Sequence, residues 1–122
     1  MGEIARFLFH RSHYASSKKA VKPGAFLPRN GQTSVFDIVG LNEAGIRRIG
    51  SEVGAIRGRD PRGRGELRHV DVTEVGLRFE RDDRPLRHGN LVGWPSSGRN
   101  RKDRNKDLAR GLAQKAVLVL HD

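Results

Sequence analysis

The stretch "EVGLRFERDDRPLRHGNLVGW", Glu74 to Trp94, decides what kind of sheet this chain builds. Its first half alternates, with Val75, Leu77 and Phe79 on one side and Arg78 and Glu80 on the other, the pattern of a half-buried strand. "DDRP" is a turn, and "LRHGNLVGW" returns as the antiparallel partner. Residues two apart on a strand share a face, so Leu86, His88, Asn90, Val92 and Trp94 are expected on one side. Arg87, Gly89, Leu91 and Gly93 are expected on the other. A face carrying histidine, asparagine and tryptophan allows two readings. In one it lines a cleft, with His88 as acid or base, Asn90 as an orienting hydrogen-bonder and Trp94 as a stacking platform for a base. In the plainer one Val92 and Trp94 are core, and the glycines mark close approach of another element.

The neighbouring segments extend this sheet. "IARFLF" (Ile4–Phe9) reads as a strand, apolar on both faces except at Arg6. Asn30-Gly31 is a hairpin turn returning into a strand over Thr33–Val39. Asn42 is an N-cap for a helix, Glu43 suits its dipole, and Leu41 and Ile46 form a hydrophobic staple. Ile46, Ile49 and Val53 share one face, and Gly54 is expected just past the helix end. The tail carries a charged helix with a stripe of Leu108, Ala109, Leu112, Ala113 and Ala116, followed by "VLVL" as a buried last turn or a short closing strand. The whole reads as one α+β domain spanning residues 1–122. It has a small, mostly antiparallel sheet of four to six strands with two helices packed on one face, and flexible loops at about 10–24 and 55–68.

The chain has 122 residues and no cysteine, which excludes disulfides, thiolate zinc sites and cysteine nucleophiles and fits a reducing cytoplasm. No run approaches the ~20 apolar residues that span a bilayer. Arg6, His10 and Arg11 interrupt the N-terminus too early for a signal peptide. A cytoplasmic protein with no membrane partner is expected. The net charge of +10, concentrated toward both ends, favours polyanions: nucleic acid first, then acidic proteins.

Three clusters are candidate sites. Arg57, Arg59, Arg62, Arg64 and Arg68 lie among glycines, where guanidinium groups can meet phosphates bidentately. Arg99, Arg101, Lys102 and Arg104 stand at the start of the last helix, where cations oppose the helix dipole. "HRSHY" brings His10, Arg11 and His13 together, groups with which ribonucleases lacking metals work: histidine as base or acid, arginine for the developing phosphate charge. No acidic or cysteine cluster accompanies these histidines, so neither metal nor other cofactor is expected.

The leading expectation is a non-enzymatic module that binds nucleic acid or nucleoprotein through backbone phosphates, using the two basic clusters and Trp94. The first alternative is a metal-independent ribonuclease of the toxin or defence type, in which His88 with His10 or His13 moves protons and Arg11 stabilises the transition state. The second is an adaptor docking on an acidic protein. Convergence of His10, His13 and His88 in a basic cleft would rank the enzyme first.

Overall fold

A computed structural model describes residues 2–121. The hairpin expected from Glu74–Trp94 is present, shortened at both ends. β6 (Arg78–Arg81) pairs antiparallel with β7 (His88–Val92), in register Phe79↔Leu91 and Arg81↔Gly89. They form one edge of a six-stranded sheet, ordered β6-β7-β4-β1-β5-β8, in which every neighbouring pair is antiparallel. The other strands are β1 (Ile4–Leu8), β4 (Thr33–Asp37), β5 (Gly63–Leu67) and β8 (Val117–Leu120). Asn30 and Gly31 both adopt positive φ (55° and 76°) between the bridged Arg29 and Gln32, which is the expected tight turn.

The sheet is covered on both faces, and alternation along β1 shows why. Ile4 and Leu8 enter a core with Phe26, Val35, Leu67, Leu91 and the helix residues Ala109 and Leu112. Ala5 and Phe7 enter a second core with Phe36, Ile38 and Ile46, against which Ile49 and Val53 pack. Of the helices, α1 (Glu43–Arg57) therefore covers the second face, whereas α3 (Arg101–Lys115) and the short α2 (His69–Glu74) cover the first. The two helices read from the sequence thus lie on opposite faces, because β1 is apolar on both.

Asn42 caps α1 as expected, accepting the Gly45 N–H at 2.8 Å. The helix runs past Gly54 to Arg57, and Gly58, at φ 78°, is the left-handed cap. Gly54 instead serves close packing, since a Cβ there would collide with the Arg59 carbonyl.

Residues 55–68, expected as a flexible loop, supply the last turn of α1, a connection, and a central strand. β5 (GRGEL) pairs with β1 along its whole length and with β8 on its other side. Residues 10–24, the other expected loop, fold into short elements. These are single 3-10 turns at Arg11–His13 and Pro23–Ala25, flanking a two-stranded pair of β2 (Tyr14–Ala15) and β3 (Ala20–Val21). "VLVL" is the closing strand β8.

β1 and β4 do not pair along their full lengths. Their ladder holds at Ile4↔Asp37 and Ala5↔Phe36 and then opens. Arg6 spans the opening, its Nε donating to the Ala25 carbonyl and its Nη1 to the Ser34 carbonyl, both at 2.9 Å. A carbonyl on the side that β1 has left thereby keeps a donor.

Among the described residues, one buried side-chain polar atom lacks a partner, the Oδ1 of Asn105 on α3. A buried acceptor without a donor lowers stability by about 1–3 kcal/mol. Asn105→Leu, similar in size and without polar atoms, is expected to raise the free energy of unfolding by about 1 kcal/mol or more, read as a higher urea midpoint at an unchanged m-value.

Candidate active site

The expected neighbourhood of His88 and Asn90 is formed, and a residue outside the strand, Asp82, organises it. His88 opens β7 and its Nδ1 lies 2.8 Å from Asp82 Oδ1, while Asn90 Nδ2 donates to Asp82 Oδ2 at 3.3 Å. The Nε2 of His88 lies 2.7 Å from the hydroxyl of Ser34 on the adjacent strand β4. An ionised carboxylate can only accept, so Nδ1 carries the proton toward Asp82, which leaves Nε2 to the Ser34 hydroxyl. The His88 hydrogen bond, the Arg84 backbone N–H and Asn90 hold the Asp82 carboxyl below the usual aspartate range. The ring also stands edge-on to Phe36, with centroids 5.2 Å apart.

Asp82 is itself fixed by the loop it starts. Arg81 pairs with Asp37 and Asp83, both at 2.6 Å. Arg87 donates to the Asp37 and Val39 carbonyls at 3.2 and 3.0 Å. These contacts tie the β6–β7 connection to the end of β4 before any ligand arrives.

His88 shares a cleft of about 540 Å³ with His10, His13, Ser34, Asn90 and the arginines Arg6, Arg29 and Arg57. The sheet builds it where β1 and β4 separate: Arg6 enters through that gap, and His10 and His13 follow from the chain beyond β1. The two histidine rings meet edge to face at 5.2 Å. Burial, then the neighbouring His10 and Arg6, push the His13 imidazole below its ordinary value. Burial, together with Arg57 and Arg29, lowers the Arg6 guanidinium to about 10, so it remains cationic at neutral pH. Arg57 lies 4.5 Å over the Phe9 ring, and Arg59 donates to His10 at 3.3 Å. Among the described residues no group of three or more histidine, aspartate or glutamate side chains is arranged to hold a metal ion.

The cleft unites His88, His10 and His13, but not Arg11, which is exposed on its 3-10 turn and lines no part of it. Arg6 and Arg57 stand where a phosphate-stabilising cation was sought. The five arginines of residues 57–68 do not form one loop. Arg57 and Arg59 border the cleft and Arg62 is exposed. Arg64 is 2% exposed and bound to Glu43 and Glu66, and Arg68 pairs with Asp71 at 3.0 Å. Of the α3 cluster, Arg101 and Lys102 line a separate cavity floored by Asn105, while Arg99 and Arg104 are exposed.

Trp94 is corrected outright. It is 6% exposed in the first core, with its indole N–H donating to the Leu91 carbonyl at 3.0 Å. Gly93, at φ 100°, breaks the strand alternation after Val92 and turns the indole to the opposite face from His88. No base can stack on it.

Arg6, Ser34 and Asp82 were missed in sequence. Only Arg6 left a signal, a lone charge inside an otherwise apolar strand; Ser34 and Asp82 read as ordinary strand and turn residues. The chain matches no known protein family, no characterised protein and no solved structure.

Proposed function

We propose that this protein is a small ribonuclease in which imidazoles, rather than a metal, move the protons. The reading rests on one observation: a His88 clamped by Asp82 shares a single basic cleft with His13, Arg6 and Arg57. The 2′-oxygen of an RNA strand attacks the adjacent phosphorus, and its proton passes to His13, which burial keeps neutral. The bond from phosphorus to the 5′-oxygen breaks, and that oxygen takes the Nε2 proton of His88, which enters this step protonated on both nitrogens, its Nδ1–H held by Asp82, and leaves it neutral. A 2′,3′-cyclic phosphate and a 5′-hydroxyl remain. Arg6 and Arg57 stabilise the charge that builds on the non-bridging oxygens, in a site already organised by Asp82. Ser34 holds Nε2 when the cleft is empty and yields it to the substrate.

The direct test is incubation with single-stranded RNA in the presence of a chelator. Cyclic phosphate termini from RNA and no cleavage of DNA are expected; no products, or equal cleavage of DNA, would end the reading. The pH profile is a second check. The base must be deprotonated to act, and the His13 value is depressed, so kcat/KM is expected to reach half its plateau below pH 6.5 on the acid side. His10→Gln removes one of the charges that depress it and should move that limb upward.

The non-enzymatic binding module is favoured by cations remote from the cleft, since Arg62, Arg99 and Arg104 are exposed and the net charge is +10. In that reading affinity falls steeply with salt and His88 is dispensable. An adaptor for an acidic protein would use the same cations without needing the histidines.

A further inference from the structure

Ser34 and His88 also line a second cavity, of about 600 Å³ and different chemistry, beside the first. One of its walls is α1, through Ile49, Val53 and Ile56; the other is the β6–β7 connection, through Pro85 and Leu86. Two large apolar side chains stand in water there, Ile56 at 87% and Leu86 at 72% exposure. Arg48 and Arg84 also line the groove. The loop carrying Leu86 is anchored elsewhere, by the Arg81–Asp37 ion pair and the Arg87 hydrogen bonds, so this wall stands in place without an occupant.

We infer that this groove holds the unpaired base of the nucleotide on the leaving-group side of the cleaved bond, which makes the substrate single-stranded RNA. The inference rests on the ribonuclease reading. Whatever fills the groove is attached at the reaction centre, because the groove meets the cleft at Ser34 and His88. His88 protonates the departing 5′-oxygen, so its groove receives the nucleoside that leaves with that oxygen. The apolar walls reject phosphate and suit a flat heteroaromatic ring, whereas Arg48 and Arg84 suit the next phosphate along the strand. A base held in a duplex cannot turn out into a side groove without unstacking.

The test measures binding, so it does not depend on cleavage. Wild-type protein is titrated with a single-stranded oligodeoxynucleotide, which lacks the 2′-hydroxyl needed for reaction, with the same strand made abasic, and with a duplex. The base-bearing single strand is expected to bind roughly tenfold tighter than the abasic strand, the scale of one base packed on protein. Leu86→Ser and Ile56→Ser, both at exposed positions, should abolish that difference and leave duplex affinity unchanged. Equal affinity for base-bearing and abasic strands, or a preference untouched by both variants, overturns the inference. So does a wild-type dimer that either variant dissociates in sedimentation, which would make the groove an interface between copies. RNA cleavage without base-dependent binding removes this inference alone; base-dependent binding without cleavage removes the ribonuclease reading and, with it, the assignment of the groove to the leaving-group side.

Discussion

His88→Ala is expected to lower the RNA cleavage rate by a factor of about 10²–10⁴ while leaving affinity for single-stranded nucleic acid within a few-fold. The imidazole is 15% exposed and bonded to Asp82 and Ser34, both themselves more exposed. Its loss therefore removes a proton donor without opening the core. Binding is expected to persist because the cleft-lining cations Arg6, Arg29 and Arg57 are untouched. Asp82→Asn separates positioning from chemistry. The amide oxygen can still accept the Nδ1–H but carries no charge, so it no longer supports the doubly protonated ring that donates from Nε2, and activity should drop with the KM little changed. A protein that cleaves RNA equally well with alanine at position 88 is not using this cleft. A protein that never cleaves, but binds with a steep salt dependence, is the binding module instead.

Arg64→Ala is expected to give the largest loss of stability. The guanidinium lies on β5 beneath the start of α1, with its side chain 3% exposed. It holds Glu43 through two bonds of 2.6 and 2.9 Å, Glu66 at 2.7 Å and the His121 ring at 2.8 Å. Truncation leaves Glu66, at 14% exposure, without its cation in a partly dry site and opens a cavity beneath α1. Breaking one partner of such a pair costs about 3–5 kcal/mol. For a domain of this size that lowers the melting midpoint by on the order of 10 °C. Arg64→Met fills the space but leaves the same carboxylate, so it should recover only part of the loss, and adding Glu66→Gln should recover more. Calorimetry of the single and double variants checks the order.

The same cluster sets an acid limb. Arg64 and Arg47 hold the Glu43 carboxyl near 2 against an ordinary 4.5. A depressed carboxyl contributes stability above its unfolded value and loses it as the pH falls from about 4.5 toward 2. Wild-type protein should lose stability across that window, and Arg64→Ala should show a shallower loss. Glu43 is 52% exposed, so solvent screening keeps its share of the effect small.

Elements fixed by neighbours in the chain were legible in sequence. The alternation of Leu77–Phe79 and the spacing of Leu91 made the β6–β7 hairpin readable. The φ demands of Asn30-Gly31 made the turn before β4 readable, and Asn42 made the start of α1 readable. β5 was not legible, because its sequence is Gly-Arg-Gly-Glu-Leu and nothing local marks it as buried. Gly65 is there because a side chain would press on Val21, which lies 44 positions earlier. Arg64 is buried between two carboxylates, Glu66 beside it and Glu43, 21 positions earlier, and the second cannot be read from the local sequence. α2 was hidden because Arg68 is no ordinary N-cap residue; its first turn is held by Asp71 accepting the Arg68 N–H at 2.9 Å and by Glu3, 66 positions earlier, accepting the His69 N–H at 2.8 Å.

The candidate site divides along the same line. The sequence by itself determined a basic, cysteine-free α+β chain with an antiparallel hairpin, and it determined that His88 and Asn90 share a face, because strand geometry repeats every two residues. The tertiary structure alone decided that Trp94 leaves that face, through one glycine at positive φ, and that His10 and His13 line one cleft with His88 where β1 parts from β4. It alone supplied Asp82, Ser34 and Arg6. Periodicity reports which way a side chain points along one element. The field around an imidazole depends on which elements the sheet sets side by side, and those lie tens of residues apart in the chain.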